Sequence, residues 1–342
     1  MTANTLELDC RFCSVISKAN GQDPIGSAGT YEHWIIAEIP QPWDDTIWTD
    51  HPIVAPASQL IETLTEDQGM QIRPLMIAPD SGTDRFANRE YSQPGKTRLL
   101  YYRRPATLFA EFDKQEFLLP TSEVLPLITA LLQQPDYLLR FDAYRQPTEH
   151  IRELFVCVHG NVDVACSRFG YPIYEQIRKT YVPQSNGNLR VWRCSHFGGH
   201  NFAPTLIDLP EGRYWGHLEP EILEALIHRN VPVAQLRPFY RGWAGLGQYE
   251  QMLERELWMQ FGWEWIHFLK AGQTLAIDPE NEEWNANWAE VRLEYASPDG
   301  SVQGGYTARI EVSSYVTTQW SSKDKELAQA KQYRVSQLTQ VA

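Results

Sequence analysis

The sequence predicts an α/β protein: helices layered on mixed sheets, followed by a smaller α+β module. Three observations point there. The order strand, helix, strand, strand, strand, helix occurs twice along the first two thirds of the chain. Hydrophobic residues make up 43% and charged residues 21%, as in a globular protein with a sizeable core. After Pro232 the composition shifts, with seven of the twelve tryptophans falling between Trp243 and Trp320. At 342 residues the chain suits two or three domains of ~100–200 residues each.

In chain order, residues 1–30 read as an arm with little regular structure, because Gly21, Asp23-Pro24, Gly26 and Gly29 break any period. Cys10 and Cys13 sit in it. A redox Cys-x-x-Cys pair caps a helix after a strand, and the first convincing strand begins only at residue 34, so packed or incidental thiols are the better reading. A first unit, 31–148, carries strands over 34–39, 72–77, 98–102 and 106–112, a helix over 58–66, and a second helix from Thr121, which follows Pro120 and has Glu123 in its first turn. A second unit, 149–235, repeats the order: a strand at 153–158, a helix at 170–179 that Pro172 opens, strands at 189–192, 205–209 and 213–216, and a helix at 219–228. Both orders fit a thioredoxin-like layer of helices on a mixed sheet. The repeat rests on element order alone. The remainder, 236–342, predicts a helix over 247–269 with an apolar face through Tyr249, Met252, Leu253, Leu257 and Trp265. Strands over 291–295 and 306–313 flank Ser297-Pro298-Asp299-Gly300 as a hairpin, and Tyr333-Arg334-Val335 adds a third strand.

A net charge of −13 argues against phosphate-backbone binding and against an anionic membrane surface; a partner with a basic docking face fits better. There is no apolar run of eighteen residues, and the start, Met1-Thr2-Ala3-Asn4-Thr5-Leu6-Glu7, lacks the features of a signal peptide, so a cytoplasmic protein is expected. Five cysteines in so long a chain do not suggest a disulfide framework.

The residues with chemistry in them lie between Cys157 and His200. Cys157 ends the apolar run Leu154-Phe155-Val156, and Cys166 follows after eight residues. His196 and His200 have three residues between them in Cys194-Ser195-His196-Phe197-Gly198-Gly199-His200. Each pair follows a strand, so both can be delivered to one end of a sheet. Gly198-Gly199 disfavours a helix and predicts a loop presenting two imidazoles. Phe197 stands where a zinc protease needs its glutamate, which removes that reading. A structural zinc site accepts the histidine spacing, but eight residues between the cysteines exceed the ~2–4 of zinc fingers. Metal or iron–sulfur ligation is the reading, with a zinc-stabilised interaction protein as the alternative. A sugar hydrolase would need two carboxylates flanking a pocket, and no motif singles out such a pair among 43 acidic residues.

These residues carry a resemblance to the sucrase/ferredoxin-like family, relatives of the thioredoxin-like [2Fe-2S] ferredoxins. The matching stretches are Val156-Cys157, Cys166 with Tyr174-Glu175, the loop from His196 to His200 followed by Asn201-Phe202-Ala203-Pro204, and Leu209-Pro210-Glu211-Gly212-Arg213-Tyr214-Trp215-Gly216. Phe12-Cys13-Ser14 and Asp23-Pro24-Ile25-Gly26-Ser27-Ala28 resemble that family's opening segment. The resemblance covers residues 10–230 and implies an electron-transfer protein with one [2Fe-2S] cluster, ligated by Cys157 and Cys166 as thiolates and by His196 and His200 as imidazoles. It also implies redox coupled to protonation, since each bound imidazole keeps a second ring nitrogen. Cys194 is read as a buried strand residue, and Ser195 and Arg168 as neighbours able to tune the cluster.

Overall fold

Helix α1 (Cys13–Ala19) precedes the first strand in the computed structural model, which describes residues 12–79, 91–105 and 108–341. The expectation of little regular structure in this arm is corrected over Cys13–Ala19, while residues 1–11 lie outside the described residues. Seven residues are too few to hold a helix by themselves. α1 exists because Cys13 packs against Ala165 and Ala203, with Phe12 edge-on to Phe169 at 5.0 Å between ring centroids.

Beyond it come β1 (His33–Glu38), the short α2 (Ile47–Asp50), α3 (Val54–Gln68), β2 (Ile72–Ile77), β3 (Lys96–Arg103), β4 (Asp113–Pro120), α4 (Val124–Gln133) and β5 (Arg145–Gln146). β1 runs parallel to β2 and antiparallel to β3, and β3 pairs antiparallel with β4. Of the predicted strand at 106–112, residues 106 and 107 lie outside the described residues, 108–112 form only an isolated bridge, and the strand that follows is β4. Phe109 and Phe112 are buried aromatics of an irregular segment: Phe109 bridges to Lys270, and the Phe112 N–H donates to the Pro210 carbonyl. Their apolar character serves packing on Trp243 and Trp34, not a strand face.

The second unit comprises β6 (Arg152–Cys157), α5 (Val164–Gln176), β7 (Leu189–Cys194), β8 (Leu206–Leu209), β9 (Arg213–Trp215) and α6 (Leu223–His228). β6 is parallel to β7 and antiparallel to β8, which pairs antiparallel with β9. Both arrays therefore have the order two-one-three-four of a thioredoxin-like sheet, reached by one parallel crossover and one antiparallel hairpin. They join edge to edge through the Ile77–Cys194 pair of β2 and β7, and β10 (Tyr240–Trp243) and β5 complete a ten-stranded sheet.

In the first array alternate residues serve two cores. Trp34, Ile36, Leu75, Ile77, Leu100 and Tyr102 join the core of the second array. Ile35, Ala37, Met76, Leu99 and Tyr101 instead pack under α3 and α4. A buried charge network ties the arrays: Glu153 of β6 accepts from Lys114 at 2.8 Å and lies 2.7 Å from Arg190, which also reaches Glu116 at 2.5 Å.

The C-terminal part holds α7 (Gln248–Phe261) and an antiparallel sheet of β11 (Leu269–Ile277), β12 (Trp288–Ala296), β13 (Gln303–Thr318) and β14 (Ala328–Val341). The expected helix over 247–269 ends early at Gly262, whose φ of +72° breaks the α geometry, and its last residue already belongs to β11. Among the described residues no helix is long and apolar enough to cross a membrane.

Candidate metal centre

β6 and β7 are parallel and in register, so Cys157 and Cys194 end side by side, and the histidine loop leaves β7 next to Cys157. α5 starts six residues earlier than the sequence predicted. Asp163 caps it, its carboxylate accepting from the Ala165 N–H at 2.9 Å, and Pro172 lies inside the helix. Cys166 is thus in the first turn of α5, where Asp163 takes up the N–H groups of Ala165 and Cys166.

Three of the predicted ligands converge. The Cys157 and Cys166 sulfurs each lie 3.8 Å from Nδ1 of His196, and all three ligand atoms fall within 4.8 Å of one another. Both thiols are buried and His196 is half-buried. The fourth residue, His200, is outside that triangle but stacks its ring on His196, centroids 5.2 Å apart at 28°. Its Nδ1 is buried with no hydrogen-bond partner among the described residues, which leaves one nitrogen available to a metal. The Gly198 N–H donates to Nε2 of His196 at 3.1 Å, so the Nδ1 proton faces the sulfurs; metal at Nδ1 would transfer the ring proton to Nε2 and release that bond.

The loop itself is fixed by its backbone. Gly198 and Gly199 have φ of +92° and +76°, a region that other residues seldom enter. The His196 carbonyl accepts from Arg73 at 2.7 Å, and the His196 N–H donates at 3.3 Å to Nδ1 of His159, whose Nε2 donates to the Trp43 carbonyl.

The thiols titrate as a pair. Burial pushes Cys157 up, but hydrogen bonds from Cys166 and His196 outweigh it and hold Cys157 well below the ordinary thiol range. The hydrogen bond to Cys157, with burial and that neighbour's charge, raises Cys166 well above its ordinary value. Burial, then His196, lowers His200. A buried corner with one thiolate, a second thiol and two imidazoles, and no carboxylate among the three converging donors, suits a soft or borderline metal.

Cys194 is buried in β7 and stays outside the triangle; burial raises its thiol well above the usual range. Ser195 bonds to the backbone of Met76 and so fastens β7 to β2, while Arg168 is exposed on α5. Cys10 lies outside the described residues. Cys13 is fully buried near the site, its sulfur 3.5 Å from the His200 carbonyl and 3.3 Å from Ser322 Oγ, and burial lifts its pKa to about 11. Ser321 and Ser322 were not foreseen. They follow β13, and both bind the Asp163 carboxylate, Ser322 through N at 2.7 Å and Ser321 through Oγ at 3.0 Å, so that the turn after β13 closes over the start of α5. The Trp320 backbone faces the His200 ring. Asp163 before a helix carries a cap signal in the sequence; the paired serines carry none.

A family model described as sucrase/ferredoxin-like matches residues 24–242. The chain belongs to the sucrase/ferredoxin-like family. No curated protein matches the sequence. Among solved structures, a thioredoxin-like [2Fe-2S] ferredoxin from Aquifex aeolicus is similar at 17% identity and a TM-score of 0.22, over 25% of this chain and 89% of that one. The family match spans both thioredoxin-like arrays and the histidine loop, and ends within β10.

Proposed function

We propose that this sucrase/ferredoxin-like protein transfers electrons through one [2Fe-2S] cluster held by Cys157, Cys166, His196 and His200. The observation that supports it is the convergence of two thiols on an imidazole, with a second imidazole stacked alongside and one of its nitrogens unpartnered. Two thiolates and two imidazoles are the ligands of a Rieske-type cluster. When bound, such a cluster supplies a one-electron couple. The chain's own residues do the rest: the first turn of α5 brings Cys166 beside Cys157, the glycines let the loop approach, and the half-buried histidines keep the centre near the surface. Its redox partner would present a basic face to a chain of net charge −13.

One observation favours a second reading. Sulfur-to-nitrogen distances of 3.8 Å are close to the ~3.5 Å between donors around a single tetrahedral zinc with bonds of ~2.3 and ~2.0 Å. An anaerobic preparation assayed for iron, acid-labile sulfide, zinc and visible absorbance separates the two. Two irons and two sulfides per chain with a visible spectrum are expected; a colourless protein with one zinc would overturn the cluster in favour of a structural ion.

A further inference from the structure

Two arginines hold the histidine loop, and among the described residues neither is paired with a carboxylate. Arg241, on β10, is 1% exposed. It donates to the Gly198 carbonyl at 3.0 Å, to the Ser27 carbonyl at 2.7 Å and to Ser27 Oγ at 3.0 Å. Its guanidinium lies over the rings of Tyr214 at 5.5 Å and Phe202 at 5.7 Å. The fit is close: a Cβ on Gly199 would stand 2.3 Å from it. Arg73, on β2, is half-buried, donates to the His196 carbonyl and sits 5.6 Å from the centroid of the Tyr31 ring.

Carbonyls satisfy the donors of a buried arginine but leave its charge uncompensated, which is costly in a low dielectric. Burial lowers Arg241 to about 10, so it stays protonated near neutrality. The groups that pull the other way are the phenols of Tyr214 and Tyr31 and the thiols Cys157 and Cys166. Of these, the thiols are the groups a bound cluster would hold as anions. The other fully buried arginine of this region, Arg213, has its carboxylate, Glu254, at 3.2 Å. An unpaired cation facing these thiols would therefore find its net counter-charge in the reduced centre.

We infer that Arg241 and Arg73 are positioning residues that fix the histidine loop through its carbonyls and stabilise the reduced over the oxidised centre. The inference rests on the cluster reading given above. A doubly positive oxidised core with two thiolates is neutral, and the added electron makes it singly negative, so a nearby fixed cation favours the reduced form. Both arginines act without touching iron.

The test is a potentiometric titration of the full-length, cluster-loaded protein as wild type and as Arg241→Gln, Arg241→Lys, Arg73→Gln and Arg73→Lys. Arg237→Gln is the control, because Arg237 is paired with Glu256 at 2.5 Å. The glutamine variants at 241 and 73 are expected to keep iron and sulfide while the ratio of reduced to oxidised centre at a fixed potential falls about tenfold, a shift of ~59 mV for one electron. The lysine variants and the control are expected near wild type. Glutamine variants that hold the cluster at the wild-type potential overturn the inference. If Arg241→Gln loses the cluster, Arg73→Gln, at a less buried site, decides by the same criterion. Wild-type protein without iron and sulfide overturns the cluster reading itself, and that result is read before any variant is compared.

Discussion

Gly170 of α5 lies so close to the end of β6 that a Cβ built on it would stand 2.0 Å from the carbonyl oxygen of Cys157. This approach lets the first turn of the helix bring Cys166 beside Cys157. Replacing Gly170 with alanine forces the helix and strand apart, since a backbone carbonyl cannot swing aside as a flexible side chain can. Overpacking of this kind costs ~1–3 kcal/mol. Gly170→Ala is therefore expected to lower the urea midpoint and to lose most of its bound metal, measured side by side on one preparation. Unchanged metal content would show that the two sulfurs do not depend on this contact.

Ligand substitutions separate the four donors from their neighbours. Cys157→Ser and Cys166→Ser are expected to abolish iron and sulfide, because a hydroxyl is far less acidic and a poorer iron ligand than a thiolate. Cys13→Ser is expected to keep both, since its sulfur bonds Ser322 and the His200 carbonyl, which a hydroxyl can do as well. A double variant with cysteines at 196 and 200 makes the site two charges more negative and is expected to lower its potential. Iron loss in Cys13→Ser, or an unchanged potential in the double variant, would mean that the ligands have been misassigned.

Much of this centre was legible because its residues end strands. Apolar runs identified β6 and β7, and the parallel pairing of these strands delivers Cys157 and the histidine loop to the same edge. The repeated element order was legible for the same reason, and the ladders make it specific: Glu38 pairs with Ile77 as Cys157 pairs with Cys194. In the first array a buried carboxyl thus occupies the place of the first thiol. What could not be read depends on contacts distant in sequence. Gly170 and Pro172 looked like the opening of a helix, whereas Gly170 is required by the Cys157 carbonyl. Phe109 and Phe112 looked like a strand because burial of an irregular aromatic segment gives the same apolar signal. α1 has no periodicity strong enough to declare it, and forms only against Ala165 and Ala203.

Ser321 and Ser322 donate to the Asp163 carboxylate and so tie the turn after β13 to the helix that carries Cys166. Asp163→Ala removes the α5 cap, worth ~1 kcal/mol, together with the acceptor for both serines. The turn after β13 is then expected to become sensitive to limited proteolysis, and a chelator to strip the metal faster than from wild type. Wild-type rates of both processes would show that the turn rests on Asp163 without guarding the site.

His217 sets an acid limit on the fold near this centre. It is 5% exposed, its Nε2 lies 3.2 Å from Ser17 Oγ on α1, and its ring packs edge-on to Phe202. Burial, then the charges of Lys18 on α1 and Arg241 on β10, lower its pKa from 6.5 to about 3. Between those values the unfolded chain binds a proton that the folded chain excludes, so stability rises with pH across the window and is lost as pH falls below 6.5. One such group contributes up to ~1.4 kcal/mol per pH unit. Asparagine accepts the left-handed φ of +52° at this position and does not titrate. His217→Asn is therefore expected to weaken the fold at pH 7.5, where the Ser17 contact is altered, yet to lose less stability than wild type on going to pH 4.5, by roughly 2–3 kcal/mol. Urea midpoints at the two pH values give the comparison, and equal losses in the two proteins would assign the acid sensitivity to other groups.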